Sequence, residues 1–338
     1  MPRMLRVARR REGGVRISIA MCTYNGARFL GEQLDSLLAQ ARLPDEVVVG
    51  DDGSTDATLE MLQAFAVHAG ERGVRVDIVR NAENLGFAAN FDATLRRATG
   101  DIVFLCDQDD VWHPDKIARM CAQFDARPRL GLLHADARLI DAEGRDMGCS
   151  LFEALEMTPA ERDAEHAGRA LDALLRRNLV TGATMAIRRE ALASALPVPE
   201  GCVHDDWLAL RCALDWQVDC MEWASIRYRQ HDGNQIGMRK RTLRDKLSGL
   251  DRPKRMFMAE MAHRLDVFLQ RCDDDGLMLS PERRSEIEAR ITHVRMRAAL
   301  PATPIARLRA VLAEMRTGRY RAYSSGLRSI VSDLLDMN

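Results

Sequence analysis

The 338-residue sequence lacks the features that mark several large protein classes. No charge of one sign dominates, since the formal net charge is -1, and this predicts no general affinity for nucleic acid. No apolar run approaches the roughly 18 residues of a membrane-spanning helix. Residues 1–14 are basic but contain no apolar segment of the kind found in secretory signals. We therefore expect a cytoplasmic protein that is soluble or lies on a membrane surface.

Two kinds of short motif are also absent. The eight cysteines include no Cys-x-x-Cys pair, and several lie inside apolar strand or helix patterns. They are typical of reduced, buried cysteines in a cytosolic protein. Neither a Gly-x-Gly-x-x-Gly nor a Gly-x-x-x-x-Gly-Lys-[Ser/Thr] element is present, which weakens assignment as a dinucleotide dehydrogenase or a P-loop enzyme.

The most informative stretch is residues 101–110, where five mostly apolar residues run into the acidic cluster Asp107, Asp109 and Asp110. This pattern predicts a buried strand whose carboxylates emerge at its C-terminal end, where open α/β sheets bind ligands. Three carboxyls within four residues repel one another unless a cation lies among them, and hard oxygen ligands suit Mg²⁺ or Mn²⁺. A divalent metal that holds a phosphate-bearing substrate is one interpretation. The other is a solvated turn followed by helix caps, and this stretch alone does not decide between them.

Strand and helix patterns alternate before this stretch. The predicted strands cover 15–21, 46–50 and 74–79, and helical patterns follow each of them, the third over 87–98 with Gly100 as its C-cap. This rhythm predicts a mostly parallel sheet with right-handed crossovers, so that the polar loops gather on one edge. The residues expected on that edge are Thr23, Asn25, Asp51, Asp52, Asn84 and the acids of 107–110.

Four polar motifs follow the ends of successive predicted strands. In chain order they are Thr23-Tyr-Asn-Gly26, Asp51-Asp-Gly-Ser-Thr-Asp56, Asn84-Leu-Gly86 and Asp107-Gln-Asp-Asp110. Together they resemble the nucleotide-sugar half of glycosyltransferase family 2, which has the GT-A fold: a mixed, mostly parallel sheet flanked by helices. The sequence of 107–116 is most similar to rhamnosyltransferase-type members that build bacterial surface polysaccharides. The resemblance is good up to residue 235 and fades beyond it.

The resemblance implies roles for the residues of these motifs. Asp51 or Asp52, together with Thr23, would contact the base and ribose of a nucleotide. The same nucleotide site would include Tyr24, Asn25 and Asn84. Asp107 and Asp109 would form the DxD element for ribose and metal, either Mn²⁺ or Mg²⁺, whereas Asp110 is not placed by the resemblance.

A histidine further along the chain is implied to approach the same metal. His231 ends the sequence Tyr228-Arg-Gln-His231, which is similar to the strand ending of the same relatives. A lone histidine is usually structural, but imidazole is a tolerable Mn²⁺ ligand. We therefore predict that His231 lies near the metal and the donor diphosphate.

A second acidic pair lies at the start of a predicted helix. Asp205 and Asp206 can be helix caps that balance the helix dipole, which is the commoner role. Glycosyl transfer, however, needs a carboxylate that takes the proton of the acceptor hydroxyl. The family carries that base in such a position, and the resemblance implies Asp205 as the base. Asp206 departs from the family pattern, since the relatives have an aromatic residue there, and it is the rival base because it adds a second carboxylate. Trp207 either forms the floor of an acceptor site or belongs to the core.

The remaining patterns define the rest of the expected architecture. They predict strands over Leu130–Ile140 and Val218–Arg229, and an irregular loop over the site at 150–168. His134 is interpreted as a structural strand histidine. The expected organisation is a basic tail (1–14), a GT-A domain (15–236) and a C-terminal helical region (237–338). Basic residues are concentrated in 239–255. They form either the solvent-exposed face of that region or a contact with an anionic membrane, to which each basic residue would contribute about 1 kcal/mol of binding free energy.

These expectations define one function and two alternatives. The expected function is inverting, metal-dependent transfer of a sugar from a dTDP- or UDP-sugar to a saccharide or lipid-linked saccharide hydroxyl, with dTDP-rhamnose favoured by the resemblance. A sugar-nucleotide nucleotidyltransferase would require a Gly-rich, Arg-containing loop after the first strand, and residues 23–26 do not provide one. A non-catalytic nucleotide- or glycan-binding scaffold would not need both acidic clusters and His231.

Overall fold

A computed structural model of the chain describes residues 14–232, 254–324 and 326–335. The chain forms two compact units, the first ending at residue 240 and the second containing 241–338 together with 175–177. The predicted basic tail before residue 14 and the basic segment 239–255, except for its last two residues, lie outside the described residues.

The first unit is built on a seven-stranded sheet. Side by side, its strands are β10 (Gln217–Met221), β6 (Leu130–Ala135), β9 (Ala186–Arg188), β4 (Ile102–Cys106), β1 (Ile17–Thr23), β2 (Glu46–Asp51) and β3 (Arg75–Arg80). Every neighbouring pair is parallel except that β9 runs antiparallel to both β4 and β6. The predicted α/β class with a mixed, mostly parallel sheet is confirmed.

The central strands are apolar because both faces of the sheet are covered. All residues of β1, β2 and β4 are buried, whereas the edge strand β3 is partly exposed. Three helices connect these strands, α1 (Ala27–Leu38), α2 (Thr58–Glu71) and α3 (Phe87–Arg97). In the parallel register Thr23 lies opposite Asp51, and both are the last residues of their strands. The polar loops that follow therefore leave the same edge.

A smaller four-stranded sheet begins immediately after the acidic cluster in the sequence. Its strands lie in the order β5 (Val111–Trp112), β11 (Ile226–Arg229), β7 (Arg138–Ile140) and β8 (Asp146–Ser150). The sequence did not predict β5, which starts immediately after Asp110. The acids thus occupy the short connection between the last residue of β4 and the first strand of the smaller sheet.

The predicted single strand Leu130–Ile140 is wrong, because it contributes one strand to each sheet, and the β-like segment Val218–Arg229 is divided in the same way. Both segments bend at the same place. Asp136 donates its N–H to the carbonyl of Met221 and accepts a hydrogen bond from the N–H of Ser225, at 3.0 and 2.8 Å. These bonds hold the two chain segments together where they leave the main sheet, which a pattern of apolar residues does not reveal.

Two further local predictions are wrong. The segment 150–168 is not an irregular loop but contains α5 (Leu151–Ala154) and α6 (Pro159–His166), each starting with a capping box. The third helix ends with Ala98, not Gly100, as its C-cap. Gly100 instead allows close packing, since a Cβ there would lie 2.6 Å from the backbone nitrogen of Ser18.

The remaining helices of this unit flank the sheet. They are α4 (Lys116–Ala126), α7 (Ala170–Leu174), a 3₁₀ turn (Gly182–Thr184), α8 (Arg189–Ala195) and α9 (His204–Asp215). The sequence is consistent with this covering role, since one face of α4 buries Ile117, Met120 and Phe124.

The second unit is helical in its described part. Its helices are α10 (Lys254–Asp274), α11 (Pro281–Ala298), α12 (Pro304–Arg316), α13 (Arg319–Tyr323) and α14 (Leu327–Leu335). Buried ion pairs join these helices: Arg297 bonds both carboxylate oxygens of Asp333, and Glu314 bonds His293 and Arg319. None of the helices in the described ranges combines the length and apolar character needed to cross a membrane.

Candidate functional site

Hydrogen bonds join the four polar motifs at the C-terminal edge of the main sheet. Thr23 donates its hydroxyl to Asp51 at 2.9 Å, which links the first motif to the second. Gln108 accepts from the backbone N–H of Tyr24 at 2.8 Å and donates to its carbonyl at 3.1 Å, which links the first motif to the fourth. The expectation that these loops gather in one place is therefore met by direct contacts.

Asp51 and Asp52 organise the loops around them. Asp51 is fully buried and also accepts hydrogen bonds from the N–H and hydroxyl of Ser54, at 3.0 and 2.5 Å. Asp52 is 3% exposed and accepts from three donors in the segment 81–86, while its carbonyl accepts from the Asn84 side chain at 3.2 Å. These bonds fix the second and third motifs against each other.

The exposed part of the first motif is Tyr24, which is 47% exposed. The next residue, Asn25, has a φ of +47°, a left-handed conformation that asparagine tolerates better than most residues. Its side-chain oxygen accepts the N–H of Thr55 at 2.8 Å. This turn leaves Tyr24 on the surface of the edge, beside the buried carboxylates.

The fourth motif crowds three carboxyls with little exposure to water. Burial, followed by repulsion from Asp109 and Asp205, raises the pKa of Asp107 to about 7. Burial also raises the pKa of Asp109, and burial together with its two acidic neighbours raises that of Asp110. Raised pKa values at a carboxyl cluster mean that negative charge is poorly compensated there by the protein.

His231 lies directly beside Asp109. Its Nε2 is 2.8 Å from Oδ2 of Asp109, and its ring packs against Phe29 with centroids 4.6 Å apart. The donor set of Asp107, Asp109 and His231 fits a divalent cation of the Mn²⁺ or Mg²⁺ type, because hard carboxylate oxygens predominate and imidazole is an accepted Mn²⁺ ligand. Poorly compensated carboxylates are what such a cation would neutralise. By chemical type these residues suit the ion, and their role as its ligands stays a prediction.

Asp110 differs from its neighbours because it faces the protein. Its Oδ1 accepts the backbone N–H of Arg229 at 3.0 Å, and the Arg229 side chain donates to the carbonyl of Asp109 and to Glu32, both at 2.8 Å. No described residue bonds its buried Oδ2. Asp110 thus ties the acidic loop to β11, the strand that precedes His231.

Lys116 is a buried cation that sequence reasoning missed. It donates to the carbonyl of Ala183 at 2.7 Å, and its ammonium lies 3.6 Å from the centre of the Trp112 ring. Burial lowers its pKa to about 7, against the opposing effects of Cys106, Asp110 and Asp107. A lysine at the first position of an amphipathic helix gave no sign in the sequence that it would be fully buried.

Asp205 occupies the first turn of α9 and is held from two sides. Its Oδ2 accepts the backbone N–H of Gly182 at 2.9 Å, and its Oδ1 accepts from the Asn178 side chain at 3.3 Å and from the N–H of Asp206 at 2.6 Å. Burial raises its pKa to about 6, although these hydrogen bonds oppose the shift. Asn178 and Gly182 lie outside any motif recognised in the sequence.

The residues around Asp205 differ in exposure. Trp207 is 3% exposed and donates its indole N–H to the carbonyl of Ala195 at 2.7 Å, so of its two sequence-based alternatives the structure places it in the core. This corrects its assignment to the acceptor site. Asp206 is half-buried. His204 is buried and stacks on Phe91 at 4.1 Å, and burial lowers its pKa to about 3, which keeps it neutral.

Asp205 and the fourth motif share one electrostatic environment. Asp205 is among the groups that raise the pKa of Asp107, and both act on the buried hydroxyl of Tyr228, whose pKa is raised by burial and by four aspartates. Asp205 thus acts electrostatically on Asp107, although about 100 residues separate the two acidic clusters in the sequence.

Comparisons with known proteins bear on the family and the fold. The model of Glycosyl transferase family 2 matches residues 18–142. An uncharacterised protein of Mycobacterium tuberculosis is 30% identical over 218 residues, which are 64% of this chain and 59% of that protein. The chain thus spans less than two thirds of the length of this relative.

Two solved structures share the fold. The mannosyltransferase PcManGT of Pyrobaculum calidifontis, in complex with GDP-Man and Mn²⁺, aligns with a TM-score of 0.54 and 19% identity over 96% of this chain and 88% of that one. Residues 1–349 of Staphylococcus aureus TarS, in complex with UDP-GlcNAc, align with a TM-score of 0.51 and 18% identity over 93% and 90% of the two chains. The expected GT-A fold is confirmed.

Proposed function

Since this chain belongs to glycosyltransferase family 2, we propose that it transfers a sugar, with inversion, from a nucleoside diphosphate sugar to a hydroxyl group of a saccharide or lipid-linked saccharide. The single observation that carries the proposal is the electrostatic proximity of Asp107 and Asp205. Donor-binding and base functions must act on the same sugar, so their carboxylates have to face one space. The electrostatic effect of Asp205 on Asp107 supports this arrangement.

Asp205 is the proposed base. The Gly182 N–H and the Asn178 amide hold its carboxylate in one orientation, and a pKa of about 6 leaves it ionised but basic at neutral pH. A base with a pKa near the working pH accepts the proton of the acceptor hydroxyl efficiently as the oxygen attacks the anomeric carbon. Asp206 remains the rival carboxylate, because it is more exposed and adjacent.

Asp107, Asp109 and His231 are the proposed holders of a divalent metal. When bound, Mn²⁺ or Mg²⁺ would supply positive charge that stabilises the departing nucleoside diphosphate. Asp109 and His231 are already hydrogen-bonded to each other, so they are oriented before the ion arrives. Lys116 adds a buried positive charge on the protein side of the cluster, where it limits the repulsion among the aspartates.

Thr23, Tyr24, Asn25, Asp51, Asp52 and Asn84 are the proposed nucleotide-binding residues. Of these, Tyr24, Asn25 and Asn84 are exposed, and they would contact the nucleotide directly. Asp51 and Asp52 already accept hydrogen bonds from the loops, so they would support nucleotide binding by fixing the loop conformation. The donor base and sugar are proposed as dTDP and rhamnose from the motif resemblance, with a UDP-sugar as the alternative.

The proposal extends to the setting of the reaction. Bacterial surface polysaccharide synthesis would supply a saccharide or lipid-linked acceptor at the cytoplasmic face of the membrane. The basic composition of 239–255 suits contact with anionic lipid there. Co-sedimentation of the full chain with vesicles that contain anionic lipid, compared with neutral vesicles, tests this part separately.

A screen of sugar nucleotides tests the central proposal. The full chain is incubated with dTDP-, UDP- and GDP-sugars with or without Mn²⁺, and mass spectrometry follows slow donor hydrolysis. Metal-dependent release of one nucleoside diphosphate is expected. A rise in melting temperature with dTDP or UDP and metal, but no hydrolysis or transfer of any donor, would favour a binding scaffold. Formation of a sugar nucleotide from a sugar phosphate and a nucleoside triphosphate would identify a nucleotidyltransferase.

A further inference from the structure

A second cluster of metal-ligand side chains lies on the main sheet, away from the acidic motif. His134 on β6 and Cys220 on β10 are direct neighbours in the parallel register, and Glu165 of α6 covers them. One ligand atom from each of the three residues lies within 4.8 Å of the others. Because β6 and β10 are two and three strands away from β4, the cluster is about 10–14 Å across the sheet from the DxD motif.

The three residues are almost completely buried, at 0% exposure for His134, 1% for Glu165 and 4% for Cys220. Nε2 of His134 is 2.9 Å from Oε2 of Glu165. Among the residues that the structure describes, none bonds Nδ1 of His134 or Oε1 of Glu165. Buried polar atoms without partners are rare, and an ion or a water is a common explanation. Two such atoms in one cluster are a second sign of a ligand.

A further imidazole lies beside the same sulfur. His166 follows Glu165 in α6, and it forms with Asp219 and Cys220 a second group whose ligand atoms lie within 4.8 Å of one another. Its Nδ1 is 2.6 Å from Asp219, whose carboxylate also pairs with Arg127. A metal-bound histidine commonly makes such a hydrogen bond to a carboxylate. His166 is the more exposed member, so it marks the route by which an ion would enter.

We propose that Cys220, His134 and Glu165, with His166 as the fourth ligand, form a binding site for Zn²⁺ or a similar transition metal. Thiolate and imidazole select such ions over Mg²⁺ and Mn²⁺. Binding forms bonds to sulfur, nitrogen and carboxylate oxygen, breaks the hydrogen bonds that Glu165 makes with His134 and with the Cys220 thiol, and releases the thiol proton to solvent. No electron is transferred. The ion would fasten α6 to β6 and β10, so the site is structural and independent of the proposed sugar transfer.

The chemistry explains why the thiol would stay protonated without the ion. Burial and the neighbouring Glu165 carboxylate raise the pKa of Cys220 well above that of an ordinary thiol. A metal reverses this, because its charge lies closer to the sulfur than any other and deprotonates a coordinating thiol. The alternative is a buried His–Glu pair beside an inert cysteine, which would bind no metal.

The test uses the full chain, stripped of metal, with Co²⁺ as a spectroscopic substitute for Zn²⁺. Wild type is expected to bind about one Co²⁺ at this site and to show thiolate-to-cobalt charge-transfer absorption, which Zn²⁺ abolishes by displacement. The absorption should disappear in Cys220→Ser. In His166→Gln the affinity for Co²⁺ should fall at least tenfold. The absorption should persist in Cys121→Ser, another buried cysteine, and in Asp109→Asn, which alters only the proposed donor site.

Two results would overturn the proposal: wild type without a thiolate absorption band, or a band that survives in Cys220→Ser. Should that variant not fold, the melting temperature of wild type decides. Zn²⁺ is expected to raise it by several degrees at concentrations at which Mg²⁺ does not, because only the folded state presents the site. Equal effects of the two ions would contradict the proposal.

Discussion

The two ends of the main sheet both bury carboxylates, but they treat them in opposite ways. At the N-terminal end, Glu46 is fully buried and accepts hydrogen bonds from Ser18, Arg75 and Thr99. Although burial alone would raise it, these bonds lower the pKa of Glu46 to about 2. At the C-terminal end, burial and neighbouring acids raise the pKa of Asp107 to about 7. Within one sheet, hydrogen-bond donors stabilise the charged form of a buried carboxylate at one end, whereas burial and neighbouring charges disfavour it at the other.

The difference separates structural from functional carboxylates. Glu46 receives its compensating donors from within the protein, and so does Glu314 of the second unit, whose pKa is lowered by bonds from Arg319 and His293 despite burial. At Asp107, Asp109 and Asp205 burial outweighs the donors that the protein supplies, so we expect an external cation or proton to complete their environment. Perturbed carboxyls grouped at a sheet edge are a physical sign of a ligand site. Four predictions probe this contrast.

The largest expected effect is on turnover in Asp205→Asn. The amide keeps the shape of the side chain but cannot accept a proton, so turnover should fall on the order of 100-fold or more while donor affinity stays within about twofold. Steady-state kinetics on the donor found by the screen, with donor binding measured by calorimetry, separates the two. Asp206→Asn is the matched control and should retain most activity. The reverse ranking would move the base to Asp206.

The second prediction concerns Asp109→Asn. Removal of one negative ligand should weaken metal-dependent donor binding by roughly 10- to 100-fold, with little change in binding measured without metal. Titration of Mn²⁺ at fixed donor gives the apparent metal affinity directly. Asp125, an exposed aspartate of α4, provides a surface control as Asp125→Asn. Unchanged metal dependence in Asp109→Asn would remove this residue from the metal site.

The third prediction is the pH dependence of kcat/KM. Since the pKa of Asp205 is raised to about 6, its protonation below that pH should remove the base from the free enzyme. With Mn²⁺ saturating, log kcat/KM should fall by one unit for each pH unit below the pKa, so that kcat/KM at pH 5 is about a tenth of its plateau value. Asp206→Asn should keep the same break. A profile flat down to pH 4 would contradict a base whose pKa is raised by burial.

Much of the fold follows from the sequence for a clear reason. The strands β1, β2 and β4 are buried on both faces, so they appear as continuous apolar runs that end in polar loops. The local pattern does not show where the segments 130–140 and 218–229 divide, because the bends at Asp136 and between Met221 and Ser225 carry no distinctive signal. Pairing between strands, not local pattern, divides them. The helices of 150–168 were missed although Ser150–Glu153 and Thr158–Glu161 both have the spacing of a capping box.

The site was less predictable than the fold. Motif spacing located the acidic loops and Asp205, but the partners that tune them come from elsewhere in the chain. Lys116, Asn178 and Arg229 have no local signature, since each acts through burial and hydrogen bonds that depend on tertiary structure. Trp207 shows the converse error: an aromatic beside a candidate base suggested a sugar platform, and its indole is instead bonded inside the core.

The smallest effects, about 1–3 kcal/mol, should appear in stability, with opposite signs at the two ends. Glu46 has a lowered pKa, so it stabilises the fold above its unfolded value near 4.5, and this stability is lost as the pH falls toward 2. Asp107 has a raised pKa, so its ionisation destabilises the metal-free fold as the pH rises from about 4 through 7. At pH 8 without metal, Glu46→Gln should lower the free energy of unfolding, and Asp107→Asn should raise it. Urea denaturation with an unchanged m-value measures both. Added Mn²⁺ should reduce the gain in Asp107→Asn, because the ion stabilises wild type alone; a loss of stability in both variants would show that the two ends are equally structural.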